Sequence, residues 1–148
     1  MAADGAAFIA TVKPMSELIR ITLPLPPGVN NQYLTVHGRR VLSPQARRWK
    51  QQAQRILTEL ELPPAFAATA REGYLALFID FFFETPLRRD LDGGLKIAQD
   101  VICQSLGIDD RRVVDIHLVK RIDPLHPRIE VELEALADWA FDADHPVL

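Results

Sequence analysis

The ten residues 74–83, Tyr-Leu-Ala-Leu-Phe-Ile-Asp-Phe-Phe-Phe, constrain this chain more than any other stretch. Apolar side chains fill both parities, so neither face of a strand here is suited to water. The run predicts a central strand with both faces covered. Asp80 within it calls for a hydrogen-bonded carboxylate or a place toward a sheet edge. Residues 18–23 read differently: Ile19, Ile21 and Leu23 alternate with Arg20 and Thr22, a strand with one buried face, ended by Pro24, Pro26 and Pro27.

Between these strands lies a helix signal. Ser43 precedes Pro44, an N-cap followed by the residue that favours the first helical position, and the helix is expected to run to about Leu60. Its apolar stripe is Ala46, Trp49, Ala53, Ile56, Leu57 and Leu60, which makes Trp49 a core residue. His37-Gly38-Arg39 marks a turn between residues 33–36 and 40–42, a short hairpin on the preceding loop. Residues 65–73 read as a connector. A second helix is expected over 95–106, closed by Gly107. Residues 112–121 and 128–134 alternate like strands, and the Asp123-Pro124 to Pro127 link between them predicts an antiparallel hairpin, with His117 on its wet face.

The order strand, loop, helix, strand, helix, hairpin predicts an α/β (α+β) fold: a small mixed sheet with helices packed on one side. One domain over 18–136 is expected, with a flexible leader at 1–17 and an acidic tail at 137–148. The single cysteine, Cys103, excludes an internal disulfide and fits packing in a reducing, cytoplasmic compartment. No apolar run reaches the ~18 residues of a membrane span, and no secretory signal is visible.

Chemistry concentrates around the second helix. Arg88-Arg89-Asp90-Leu91-Asp92 precedes it, Lys96 opens it, and Asp109-Asp110 follows it. Two carboxylates one residue apart, beside a lysine and two arginines, suit a divalent metal and a phosphate. Asp92 and Lys96 share a face if the helix starts near Asp92. The same residues also serve as a plain helix cap and a turn. Net charge is −3, but its distribution is uneven: residues 18–58 hold seven Lys and Arg and no Asp or Glu. Arg39 and Arg40 on the loop, and Arg47 and Arg48 on the first helix, are candidate phosphate contacts.

Taken together, Ile21-Thr22-Leu23-Pro24 with Pro26-Pro27 and Asn30-Asn31, Arg89-Asp90-Leu91-Asp92 with Lys96, and Asp109-Asp110 with Val113-Val114-Asp115 and Lys120 resemble the RusA family. These are Holliday-junction resolvases, or crossover junction endodeoxyribonucleases, often encoded in prophages. The resemblance covers residues 20 to about 136. It implies a RusA-like fold and a homodimeric, Mg²⁺-dependent endonuclease, Mn²⁺ being an alternative ion, that nicks opposing strands of four-way junction DNA in recombination and repair. It makes Asp90, Asp92 and Asp110 the metal-binding catalytic carboxylates, Lys96 an essential basic residue at the site, and Arg89 a basic DNA-facing residue. Whether Asp109 or Asp110 is the ligand stays open. The chain departs from the family at Gly93, where Asn is common, and in a less basic run before Asp90. Two rivals stand beside this reading. One is a junction-binding accessory protein without cleavage. The other is a haloacid-dehalogenase-like phosphatase, disfavoured because six residues separate Phe83 from Asp90. Candidate dimer surfaces are the apolar run 74–83 and the tail aromatics Trp139 and Phe141.

Overall fold

The computed structural model describes residues 10–12 and 18–139. Among these residues, seven strands and three α-helices form a five-stranded mixed sheet, a separate two-stranded hairpin, and a helical layer on one side. The sheet runs β1 (Ala10–Val12), β2 (Leu18–Pro24), β7 (Arg128–Leu136), β5 (Tyr74–Phe83), β6 (Val113–Ile122) in spatial order. All neighbours are antiparallel except β5 and β6. β1 falls in the stretch expected to be a flexible leader and there adds a strand to the edge. The rest of that leader, and the tail beyond Trp139 with Phe141, lie outside the described residues.

The strand 74–83 lies inside the sheet, and Leu75, Leu77, Ile79, Phe81 and Phe83 are buried beneath the helices. The expectation that its other face is also covered by a layer is corrected. Tyr74, Phe78, Asp80 and Phe82 are only half-buried. Neighbouring side chains lie across them: His117 stacks on Phe78 at 4.7 Å, Arg128 sits 3.8 Å from the Phe82 ring centroid, and Arg121 pairs with Asp80 at 2.8 Å. Stems and rings of amphipathic residues thus take the place of a second layer.

The expected hairpin of the last two strands is also corrected. β6 and β7 flank β5 on opposite sides. Helix α3 (Leu95–Leu106) is the crossover that makes β6 parallel to β5, and residues 123–127 then pass over the end of β5 to start β7. Five residues reach ~16 Å, enough to straddle one strand at ~4.8 Å per spacing. The link is pinned there: the Asp123 N–H donates to Phe83 O at 2.8 Å, and Asp123 Oδ2 accepts from Arg128 Nη1 at 2.8 Å.

Helix α1 (Pro44–Thr58) follows its signals. Ser43 Oγ accepts from Ala46 N at 3.0 Å, and Ala46, Trp49, Ala53 and Leu57 are buried. Trp49 Nε1 donates to Pro24 O at 2.8 Å, which fixes α1 to the end of β2. The supposed connector 65–73 lies mostly in helix α2 (Pro64–Glu72). Pro64 sits in its first turn, and Phe66 and Ala70, four apart, are its buried face; a nine-residue helix shows too few turns for a visible period.

Candidate active site

The turn 90–94 carries Asp90 and Asp92 between the end of β5 and α3. Helix α3 begins at Leu95 after Gly94, not near Asp92. Asp92 is therefore outside the helix, and Lys96 turns to Asp100 one helical turn on, with Nζ 2.9 Å from Oδ1. Lys96 is exposed, and the Asp100 hydrogen bond and charge, with Asp110 and Tyr33 further off, raise its pKa. Asp100 was not among the sequence-derived site residues; its signal is the i, i+4 spacing from Lys96.

Gly94 is required because α3 starts against β5 and the segment that follows β2: a Cβ there would lie 2.6 Å from Pro26 Cγ and 3.2 Å from Phe81 Cε1. Gly93 is different. A Cβ there would stand 3.6 Å from Asp90 O and Val29 N, an ordinary contact, so this backbone does not itself demand glycine.

The structure distinguishes Asp109 from Asp110. Asp109 caps a single 3-10 turn (Asp110–Arg112) by accepting from Arg111 N, and it binds the Arg111 guanidinium at 2.8 Å. Those bonds hold its carboxyl down at about 2. Asp110 has no such partner. It joins Asp100, Cys103, Gln104 and Asp109 around a hollow of about 180 Å³. Burial, with the charges of Asp110 and Asp100, pushes the Cys103 thiol up to about 11, so at neutral pH it packs as a neutral, apolar group.

Among the described residues, no hydrogen bond or ion pair engages the carboxylates of Asp90, Asp92 or Asp110. Their lone pairs are uncommitted, and an all-oxygen set is what a hard divalent ion takes. In kind, then, the residues fit such an ion. In arrangement they are open: among the described residues, no three His, Cys, Asp or Glu side chains converge closely enough to hold a metal.

The candidate DNA contacts divide. Arg39 and Arg40 lie on the projecting hairpin of β3 (Tyr33–Val36) and β4 (Arg39–Leu42), whose residues are nearly all exposed. His37 (φ 51°) and Gly38 (φ 76°) form its turn, and the Arg40 guanidinium lies 4.2 Å from the Tyr33 ring centroid. Arg47 and Arg48 are exposed on α1. Arg89 turns inward instead. Its Nη2 donates to Pro26 O at 2.6 Å, its Nε is buried without a partner, and burial lowers its pKa. Its charge is committed to the protein, while Arg88 beside it is exposed. A cleft of about 400 Å³ opens here, lined by Asn31, Gln45, Thr85, Arg88 and Arg89 among others. A larger hollow of about 550 Å³ lies on the uncovered sheet face, where Asp80, Glu130 and Glu132 outnumber Arg20. That sign of charge repels phosphate, and none of the acid-turn residues lines the hollow.

Residues 24–134 match the family described as endodeoxyribonuclease RusA. This chain belongs to that family. Among RusA relatives, the crossover junction endodeoxyribonuclease of Escherichia coli is 29% identical over 119 residues, which cover 80% of this chain and 95% of that protein. The Shigella sonnei protein of the same name is 28% identical with the same coverage. The solved OmpA-like domain of FopA1 from Francisella tularensis aligns over 91% of this chain and 87% of its own at 9% identity, but with a TM-score of 0.38 it bears on neither fold nor function. RusA membership removes the phosphatase rival, and the geometry agrees: Asp90 sits on a turn well past the end of β5 rather than at the strand tip. No helix among the described residues is long and apolar enough to cross a membrane.

Proposed function

We propose that this RusA-family endodeoxyribonuclease is a cytoplasmic, Mg²⁺-dependent resolvase that nicks two opposing strands of a four-way DNA junction during recombination and repair. The observation that carries this reading is the set of three carboxylates, Asp90, Asp92 and Asp110, that make no hydrogen bond or ion pair among the described residues and lie around the segment that bears Lys96. Those three would hold the ion, and Mn²⁺ would be accepted in place of Mg²⁺. When bound, the ion supplies Lewis-acid polarisation of the scissile phosphate. The chain's own work is different. Asp100 holds the Lys96 ammonium protonated and oriented, so that it offsets the charge that builds on the phosphoryl oxygens. Asp109, tied to Arg111, fixes the backbone from which Asp110 projects.

The phosphate backbone would be held by Arg39 and Arg40 on the hairpin and by Arg47 and Arg48 on α1, contacts that give affinity without reading sequence. Reversing Arg47 and Arg48 to Glu is expected to weaken binding to every DNA tested. The slope of log affinity against log salt should become shallower by about one to two units, ~0.9 for each phosphate that is no longer neutralised. An unchanged slope would move the DNA to Arg39 and Arg40.

Each chain offers one acid set, so two cuts in one complex need a homodimer. The outer edge of β6 supports this reading. It has no strand partner among the described residues, and Ile116, Val119 and Ile122 on it are 38%, 40% and 43% exposed. Antiparallel pairing of two copies about Leu118 keeps like faces together and sets Asp115 of one opposite Arg121 of the other. Light scattering at micromolar concentration should give a dimer of the 16.7 kDa chain. Asp115→Arg, which sets two arginines opposite each other across the pair, should weaken that dimer.

The test of the function is a synthetic four-way junction and a supercoiled cruciform plasmid, each with and without Mg²⁺. Paired nicks that require the ion support a resolvase. Binding without cleavage at any Mg²⁺ or Mn²⁺ concentration would leave the accessory-protein reading, and single nicks from a stable monomer would leave a nuclease that is not a resolvase.

A further inference from the structure

Residues 84–89 connect β5 to the acid turn, and all but Arg89 are exposed. Among the described residues, none of them takes part in a hydrogen bond between backbone groups. A free loop of this kind would let Asp90 wander, because nothing local sets its φ and ψ. Two side chains from distant strands and loops restrain the turn instead. Downstream, the carboxamide of Gln32, 2% exposed, donates to both Pro27 O and Gly93 O at 2.8 Å. Upstream, the ammonium of Lys120 on β6 donates to Pro86 O at 2.8 Å and Arg89 O at 2.9 Å, and lies 5.5 Å from the Phe83 ring centroid.

We propose that Lys120 is a positioning residue for the acid turn: it fixes the peptide that joins Arg89 to Asp90 and so sets where the Asp90 carboxylate stands. The Arg89 carbonyl and the Asp90 N–H belong to one rigid plane, so holding the oxygen holds the start of Asp90. A lysine suits the task because its three donors reach two carbonyls at once, and bonds from a charged donor are stronger than neutral ones. The strand supplies the rigidity: Lys120 stands in register with Phe81, two residue pairs inside the end of the β5–β6 ladder that faces the turn. Gln32 holds the opposite end through the Gly93 carbonyl, which leaves the two acids between two fixed points. The functional half of this inference rests on the nuclease reading; the structural half does not.

Hydrogen exchange on the free protein tests the structural half. In Lys120→Met, the Gly93 amide, which donates to Asp90 O at 3.4 Å across the turn, should exchange about tenfold faster, as expected when the charge-assisted hydrogen bonds that hold the turn are removed. Exchange in β5 and α3 should stay as in the wild type. Lys120→Arg, whose fork also reaches two carbonyls, should restore slow exchange. On a four-way junction, Lys120→Met should raise the Mg²⁺ concentration for half-maximal cleavage by about tenfold, with junction affinity and its salt slope unchanged. Unchanged exchange at Gly93 overturns the proposal. So does faster exchange throughout β5, which would make Lys120 a support of the sheet as a whole, and so does a salt slope shallower by about one unit, the mark of a phosphate contact. Wild-type protein that never cuts in Mg²⁺ sinks the nuclease reading while leaving the exchange result standing.

Discussion

Asp90→Asn and Asp92→Asn are each expected to lower junction cleavage by ~10³-fold or more while the protein stays folded. Each substitution removes one anionic ligand from a set of three, and metal stabilisation of transition-state charge is worth several kcal/mol, about tenfold in rate per 1.4 kcal/mol. Folding should hardly notice. Both side chains are exposed, and among the described residues neither has a hydrogen bond or ion pair to lose; surface changes of this kind stay within ~0.5 kcal/mol. Junction binding should survive or tighten, because a negative charge near phosphates has gone. Asp109→Asn is the contrast: it loses the charge pair with Arg111, but the Asn oxygen still accepts from Arg111 N and keeps the turn that carries Asp110, so most of the activity should remain. Cleavage by Asp90→Asn at close to the wild-type rate in Mg²⁺ would show that the turn is not the metal site.

Phe81→Ala is expected to destabilise the fold by about 3–5 kcal/mol, the usual cost of emptying a large aromatic site in a core. Phe81 is fully buried, packs against Phe83 with ring centroids 5.8 Å apart, and closes under Gly94 at the start of α3. Against a total stability of roughly 5–15 kcal/mol that loss is large, and the thermal midpoint should fall by on the order of 10 °C. The cavity would open directly beneath the acid turn. Cleavage should therefore fall even well below the new midpoint, since the start of α3 loses the surface it rests on. A midpoint lowered by only a degree or two would mean that the helical layer collapses into the space, and that the turn is not held from below.

The elements legible along the chain were those with local causes. Ser43 and Pro44 carry their own start signal, Gly107 its own stop with φ 68°, and the His37-Gly38 turn its own positive φ values. The alternation in residues 18–23 placed Ile19, Ile21 and Leu23 inside because a period of two admits only one buried face. The acid residues and Lys96 were legible for a similar reason: few residue types offer the chemistry, and here they stand close together in the chain.

Other features depended on partners far away in sequence. Strands β6 and β7 alternate as hairpin strands do, and a five-residue link permits either a hairpin or a straddle; the crossover through α3 and the demand of β5 for two neighbours decided it. The family resemblance makes Arg89 a DNA-facing residue, yet a carbonyl 63 residues away captures its guanidinium. Gln32 and Lys120 gave no signal of a positioning role, since a glutamine in a loop and a lysine on an edge strand are ordinary until their distances to Gly93 and Arg89 are known. Residue type and local period fixed which groups exist and which faces are apolar. Which of those groups are free to meet a ligand, and which are spent on holding the backbone, was decided only when the tertiary fold brought carbonyls and side chains within hydrogen-bond reach, because that competition is set by distance in space and not by distance along the chain.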